Sequence, residues 1–247
     1  MQTPLREAER IDDLQIGGYR IIQNRHKFCF GIDAVLLSDF ARVRRGENVL
    51  DIGTGTGVIP ILLAAKTEGR HFTGLEIQEE SVEMAGRSVA LNGLGEKIDI
   101  LKGDIRNAKE LFPNESFDVI VSNPPYMAAG HGLKNESPEM AIAKHEILCR
   151  FTDIAGESAR MLKESGRLYL IHRPFRLAEV MVALCAVHLE PKKLRFVQPY
   201  ADREPNMVLI EAIKGAKPRV TVEKPLIIYQ GKNVYTQEII DIYGGNL

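Results

Sequence analysis

Seven short apolar runs follow one another from residue 46 onward, and all but the last two are separated by stretches of helical length. GENVLDIG, HFTGLEI, IDILKGD, FDVIVSN, RLYLI, LRFVQ and NMVLIEAI are the candidate strands. Between them, VIPILLAAK has the length and composition of a helix. EESVEMAGRSVALNG puts Val82, Ala85 and Val89 on one helical face and stops at Asn92-Gly93. Another helix is expected over about 138–162, with Ile147, Phe151, Ile154, Ala155 and Leu162 on one stripe, and a further one around Leu177, Val180, Met181 and Leu184. Parallel strands need a long crossover, usually a helix, so the alternation predicts an α/β fold. We expect a doubly wound, mostly parallel seven-stranded sheet with helices on both faces. LRFVQ and NMVLIEAI are joined only by PYADREP, which has no room for a crossover. One strand near the end of the series should therefore be reversed.

The chain has 247 residues, enough for one large domain with small additions. The expected division is an N-terminal extension over 1–45, a catalytic core over 46–214 and a C-terminal extension over 215–247. The last is read as a short extended piece plus a small helix. No window of about 18 uncharged apolar residues occurs, so no membrane helix is expected. The N-terminus has no apolar signal core. Cys29, Cys149 and Cys185 are far apart and make no CxxC pair. Neither a metal site nor a disulfide framework is expected, and a reducing cytoplasm is the simplest setting. Net charge is −1, yet it is unevenly spread. Residues 49–150 hold 10 Lys and Arg against 15 Asp and Glu, whereas 151–230 hold 13 against 9.

VLDIGTGTGV sets Gly53, Gly55 and Gly57 between a strand and a helix. Glycines let the backbone turn tightly and a ligand come close, and the helix N-terminus offers unpaired N–H groups. Glu76 ends the next strand, where an acid can accept both hydroxyls of a ribose. In open α/β sheets ligands sit beyond the carboxyl ends of the strands, so Asp51, Glu76, Asp104 and Asn123 converge on one edge. One such polar residue at a strand end is ordinarily a turn or cap former; three acids and an amide in succession point to a nucleotide-like ligand. Val58, Ile59 and Pro60 follow Gly57, so the GxGxxG spacing of a dinucleotide enzyme is absent. The fourth strand runs directly into Asn123-Pro124-Pro125-Tyr126. Two prolines without N–H groups cannot extend a ladder or open an ordinary helical turn.

Taken in order, DIGTGTG, the acid of LEI, LKGD and NPPY resemble the motifs of class I methyltransferases that use S-adenosylmethionine, over about residues 46–213. The resemblance implies a Rossmann-like sheet with its last strand reversed. It implies that the glycine loop with Asp51 lies against the amino-acid end of the cofactor, Glu76 on its ribose, and Asp104 with Ile105 by its adenine. NPPY is similar to the signature of enzymes that methylate exocyclic or amide nitrogens. A planar amino group is a poor nucleophile because its lone pair is delocalised. The side-chain carbonyl of Asn123 and the backbone carbonyl of Pro124 can accept its two hydrogens, orient it and stabilise the growing positive charge. Pro124 and Pro125 hold these acceptors rigid, and Tyr126 can lie against the planar group. No general base with a tuned pKa is required before attack. The motif does not separate adenine N6, guanine N2 and a glutamine amide.

Only 48 residues precede VLDIG, fewer than the helical substrate domain that precedes this core in glutamine methyltransferases. They are read as two short strands within QIGGYRIIQNRHKFCFG and a helix from about Asp33. RHKFCFGIDAVLLSDF is similar to the segment ahead of the cofactor loop in bacterial tRNA adenine-N6 methyltransferases that modify position 37 of a valine tRNA. The match includes Phe28, Phe30, Gly31, Asp33 and Ala34, and continues into PLIIYQ and YTQEIIDIYG. It implies that Phe30 and Asp33 cover the cofactor or the pocket, and that tRNA is the partner. Arg42, Arg44 and Arg45, and Lys192, Lys193 and Arg195, are then candidates for an RNA-facing rim. Pro125, Tyr126 and Lys134 are expected on the substrate side, Lys134 near a phosphate. The alternatives are a protein glutamine N5-methyltransferase, an rRNA guanine N2-methyltransferase, and an RNA-binding module without turnover. The intact NPPY argues against the last.

Overall fold

The strands expected from the apolar runs are all present in the computed structural model, which describes residues 5–26, 29–124 and 151–245. A hairpin of β1 (Glu9–Asp13) and β2 (Arg20–Asn24) leads into α1 (Ile32–Phe40). The core follows as β3 (Asn48–Ile52), α2 (Val58–Lys66), β4 (His71–Glu76), α3 (Glu79–Leu91), β5 (Ile98–Lys102), a 3-10 segment (Ile105–Glu110) and β6 (Phe117–Ser122). It continues with α4 (Phe151–Met161), β7 (Leu162–His172), a 3-10 turn (Pro174–Arg176), α5 (Leu177–Ala186), β8 (Leu189–Gln198) and β9 (Met207–Lys214). The C-terminal extension adds β10 (Thr221–Val222), β11 (Leu226–Ile227), β12 (Tyr229–Gly231), β13 (Val234–Tyr235) and α6 (Gln237–Ile242).

The main sheet has the order β5-β4-β3-β6-β7-β9-β8-β10, with β11 also on β8. β9 is antiparallel to both neighbours, and every other pairing is parallel. The reversed strand is thus the one that the short PYADREP connection requires. The seven core strands are joined by the two-residue β10 and β11, so the sheet has nine strands among the described residues. The helix expected over 138–162 is seen from Phe151 to Met161; its first half lies outside the described residues.

Two apolar layers sandwich the sheet. Along β6, Val119 and Val121 join the layer made with α1 and α2, while Ile120 joins the layer made with α4 and α5. This is the period-two alternation of a strand buried on both faces. α2 is buried from Val58 to Ala64, so its sequence carries no polar stripe. Pro60 falls in its first turn, where the missing N–H would have no helical partner.

The N-terminal extension differs from expectation. Its first strand is the polar ERIDD, and residues 29–30, within the run read as a second strand, lie outside any strand. β1 pairs antiparallel with β2, Ile11 opposite Ile22, and β2 docks on α3. There Ser88 Oγ accepts the Ile22 N–H at 3.1 Å, and Asn92 exchanges two hydrogen bonds with the Arg20 backbone at 2.7 and 2.9 Å. Arg87 forks the carboxylate of Glu9 at 2.6 and 2.8 Å. At the other end, Thr236 caps α6, and Ile239 and Ile242 bury against the α1 layer. Among the described residues no helix is long and apolar enough to cross a membrane.

Candidate functional site

β3 to β8 run in one direction, so the loops after them open at a single edge of the sheet. The glycine loop follows β3, Glu76 ends β4, Asp104 follows β5 and Asn123 follows β6. The convergence expected from the sequence is therefore present.

Gly53, Gly55 and Gly57 all have left-handed backbone, with φ of 76°, 56° and 84°. No atom lies within 4 Å of where a Cβ of Gly53 or Gly55 would stand, so the loop turns bare backbone toward open space. Gly53 and Thr54 N–H groups donate to the Leu75 carbonyl at 2.9 and 3.1 Å. Glu76 completes the clamp. One carboxylate oxygen accepts the Gly55 N–H and the other the Gln78 N–H, each at 2.9 Å. Each oxygen keeps a lone pair beyond this bond, so the clamp leaves acceptor capacity.

Beneath the loop, Asp51 is 1% exposed, and neither of its carboxylate oxygens has a well-formed hydrogen bond. The Thr54 hydroxyl nearby is close enough to favour the charged form somewhat, but its own hydrogen-bond geometry is also poor. Burial dominates. It pushes the Asp51 carboxyl up to about 7, and the charge of Glu76 adds to the rise. A buried acceptor pair without donors fits a cationic ligand group such as an ammonium.

Asp104 stands at the same edge with a structural task. It caps the 3-10 segment by accepting the Arg106 N–H at 2.9 Å, and Arg106 Nε reaches both of its oxygens at 2.9 and 3.0 Å. The Arg106 guanidinium holds this carboxyl below the usual range. Ile105 is buried behind it. Phe30 packs against the α1 layer, and its N–H donates to the buried Gln23 side chain at 2.9 Å.

Asn123 has a partner that no local pattern reveals. Its amide Nδ2 donates to Asp33 Oδ2 at 3.0 Å, across 90 positions of sequence. Asp33 lies in the first turn of α1, is 7% exposed, and also accepts the Ala34 N–H at 3.0 Å. A Cβ on Gly31 would come within 2.9 Å of Asp33 Oδ1, so a larger residue there would have to displace the Asp33 carboxylate. A carboxylate offers only acceptors, so the amide must present its nitrogen end to Asp33. The carbonyl end is thereby turned the other way. Asp33, expected to cover the cofactor or the pocket, is bonded to the Asn123 amide itself. Pro124 is buried beside Asn123. Pro125, Tyr126 and Lys134 lie outside the described residues, as does Phe28.

The basic groups singled out in the sequence are placed otherwise than a rim requires. Arg44 and Arg45 precede β3, at the opposite edge of the sheet, and Arg45 pairs with Glu68 at 2.9 Å. Lys193 stands between Glu211 and Glu223 at 3.4 and 3.6 Å, and Arg195 pairs with Glu238 at 2.5 Å. Among the described residues no group of three or more His, Cys, Asp or Glu side chains could hold a metal ion.

Residues 31–187 match the model of the methyltransferase small domain. The tRNA1(Val) (adenine(37)-N6)-methyltransferase of Tolumonas auensis is 30% identical over 90% of this chain and 91% of its own. The protein of the same name from Phocaeicola vulgatus is 31% identical over 90% and 92%. Among solved structures, a protein from Agrobacterium tumefaciens described as a predicted O-methyltransferase superposes with a TM-score of 0.70 at 25% identity, over 87% of this chain and 96% of that one. The chain belongs to the small-domain family of methyltransferases.

Proposed function

We propose that this methyltransferase transfers a methyl group from S-adenosylmethionine to the N6 amino group of an adenine in tRNA, at position 37 of a valine tRNA. The observation that carries the amino-group chemistry is the hydrogen bond from Asn123 to Asp33. It makes Asn123 a carbonyl acceptor toward the substrate, not an amide donor. The base and the RNA are supported by likeness to tRNA enzymes over nine-tenths of both chains. These relatives do not favour the glutamine and guanine alternatives.

When bound, the cofactor supplies a methyl on a sulfonium, a soft electrophile. The open backbone at Gly53 and Gly55 receives its amino-acid end, and the orphaned Asp51 carboxylate gains the donors it lacks from an ammonium. The remaining lone pairs of Glu76 accept ribose hydroxyls. Asp104, already committed to Arg106, lines the base side with Ile105. Asn123 and Pro124 then accept the two hydrogens of the amino group and hold its lone pair toward the methyl. Their dipoles face the charge that grows on nitrogen, where preorganised groups are worth most. Much of the remaining rate comes from holding the reacting atoms in line. An anticodon-loop base is already unpaired, so presenting it is easier than flipping one from a duplex.

Incubation with radiolabelled S-adenosylmethionine and unmodified tRNA, followed by nucleoside mapping, tests the proposal. Label is expected in N6-methyladenosine. Label found only in a protein fraction would overturn it.

A further inference from the structure

Beyond Asn123, on the side away from the glycine loop, the sheet continues through β7, β9 and β8. With strands about 4.8 Å apart, the end of β8 lies roughly 14 Å from that of β6 along the same edge. Each loop on this stretch carries an aromatic ring beside a cation. After β7 comes Arg173-Pro174-Phe175-Arg176, in which Phe175 is 76% exposed, the most exposed large apolar side chain among the described residues. After β8 comes Tyr200, followed by Arg203. After β11, which runs parallel to β8, comes Tyr229, and the exposed Lys232 lies at the tip of its hairpin.

These pieces are tied together. Arg173 donates to the Asn206 carbonyl at 2.9 Å, and Gln198 donates to the Arg203 carbonyl at 2.7 Å. The Pro199 carbonyl accepts the Tyr229 N–H at 2.9 Å. The Tyr229 ring lies 5.5 Å from Tyr200 and stacks at 5.0 Å on Tyr235. Tyr229, Tyr235 and Tyr243, the last just past α6, pack against the same apolar layer as α1, whose first turn carries Asp33. Phe175 stands largely exposed beside Arg173 and an Arg176 that pairs with Glu179, and it is not part of either apolar layer among the described residues. Planar rings on a rigid edge, with cations between them, fit unpaired nucleotides, because every base offers a face for stacking. Asp202 and Glu204 on the β8–β9 loop dilute the positive charge. Stacking must therefore contribute more than phosphate pairing.

We propose that this edge is a platform for single-stranded RNA: nucleotides flanking the target base cross the ends of β7 and β8, one stacking on Phe175 and a later one on the Tyr200–Tyr229 pair. The proposal rests on the tRNA reading above and adds the path of the substrate. It gives a chain of net charge −1 a way to hold RNA that does not depend on the paired basic groups among the described residues.

The test uses the full chain with an unmodified anticodon stem–loop RNA, measuring methyl transfer and RNA binding by fluorescence anisotropy. Phe175→Ala and Tyr200→Ala should each raise KM for RNA roughly 5- to 100-fold, the range that loss of one stacked base implies. Cofactor affinity should be unchanged and kcat at saturating RNA should stay within about twofold. Phe175→Tyr should restore KM, because it keeps the ring. If the unaltered enzyme methylates the RNA and both alanine variants keep its KM, the platform is wrong and the tRNA reading stands. If the unaltered enzyme transfers no methyl to RNA, the tRNA reading fails and the platform with it.

Discussion

Asp51 shows how one residue can oppose folding and serve the site. Its folded pKa of about 7 lies above the unfolded value of 3.8, so the native state binds the extra proton between those limits. Stability is therefore lost as pH rises from about 4 to 7, up to a ceiling of about 4 kcal/mol for a three-unit shift. Asp51→Asn should raise Tm by several degrees near pH 8, with the gain shrinking toward pH 4; thermal scans across that range check it. The same variant should bind S-adenosylmethionine more weakly by titration calorimetry, since an amide keeps an acceptor oxygen but lacks the charge that attracts an ammonium. Unaltered protein should itself lose cofactor affinity as pH falls below 7. The Asn123–Asp33 pair makes a different prediction. Asn123→Ala should lower kcat by about 10²–10³ while sparing cofactor binding, and Asp33→Asn should lower it by roughly tenfold or more, because an amide partner no longer dictates which end of Asn123 faces the substrate. A loss of cofactor affinity matching that of Glu76→Ala would contradict these roles.

At the scale of elements, the core strands were legible because both of their faces are covered. Sequences such as FDVIVS are then apolar almost throughout, and their spacing leaves room only for helical crossovers. β1 was not legible. ERIDD has little strand propensity, and it is held by partners far along the chain. Chief among these is Arg87 on α3, which forks Glu9, a side chain only 3% exposed. The guanidinium holds that carboxyl below the usual glutamate range, so the pair's contribution is present at neutral pH and fades as acid protonates Glu9. Arg87→Ala leaves the carboxylate covered without its main partner and should destabilise the protein by about 2–4 kcal/mol at pH 7. Adding Glu9→Gln should recover part of this loss, measurable by denaturant unfolding.

The whole molecule decides where RNA can lie. Runs such as Arg42 to Arg45 read as a binding rim in the sequence, yet α1 carries them to the edge opposite Asn123. The aromatic residues Phe175, Tyr200 and Tyr229 are scattered in sequence and share one edge only because β7, β8 and β11 end on it. If Arg173, Arg203 and Lys232 supply the phosphate contacts, the logarithm of RNA affinity should fall against the logarithm of salt with a slope of about −2. A binding titration over salt concentration would read it, and a slope several times steeper would restore a larger basic surface. The sequence by itself determined the α/β frame, the reversed strand and the glycine loop, because each is written in contiguous residues with a fixed local period. Only the tertiary structure decided that Asp33 orients Asn123, that Asp51 is buried without donors and that aromatic rings line one edge. Those facts depend on distances between residues far apart in the chain, which packing sets and no local pattern records.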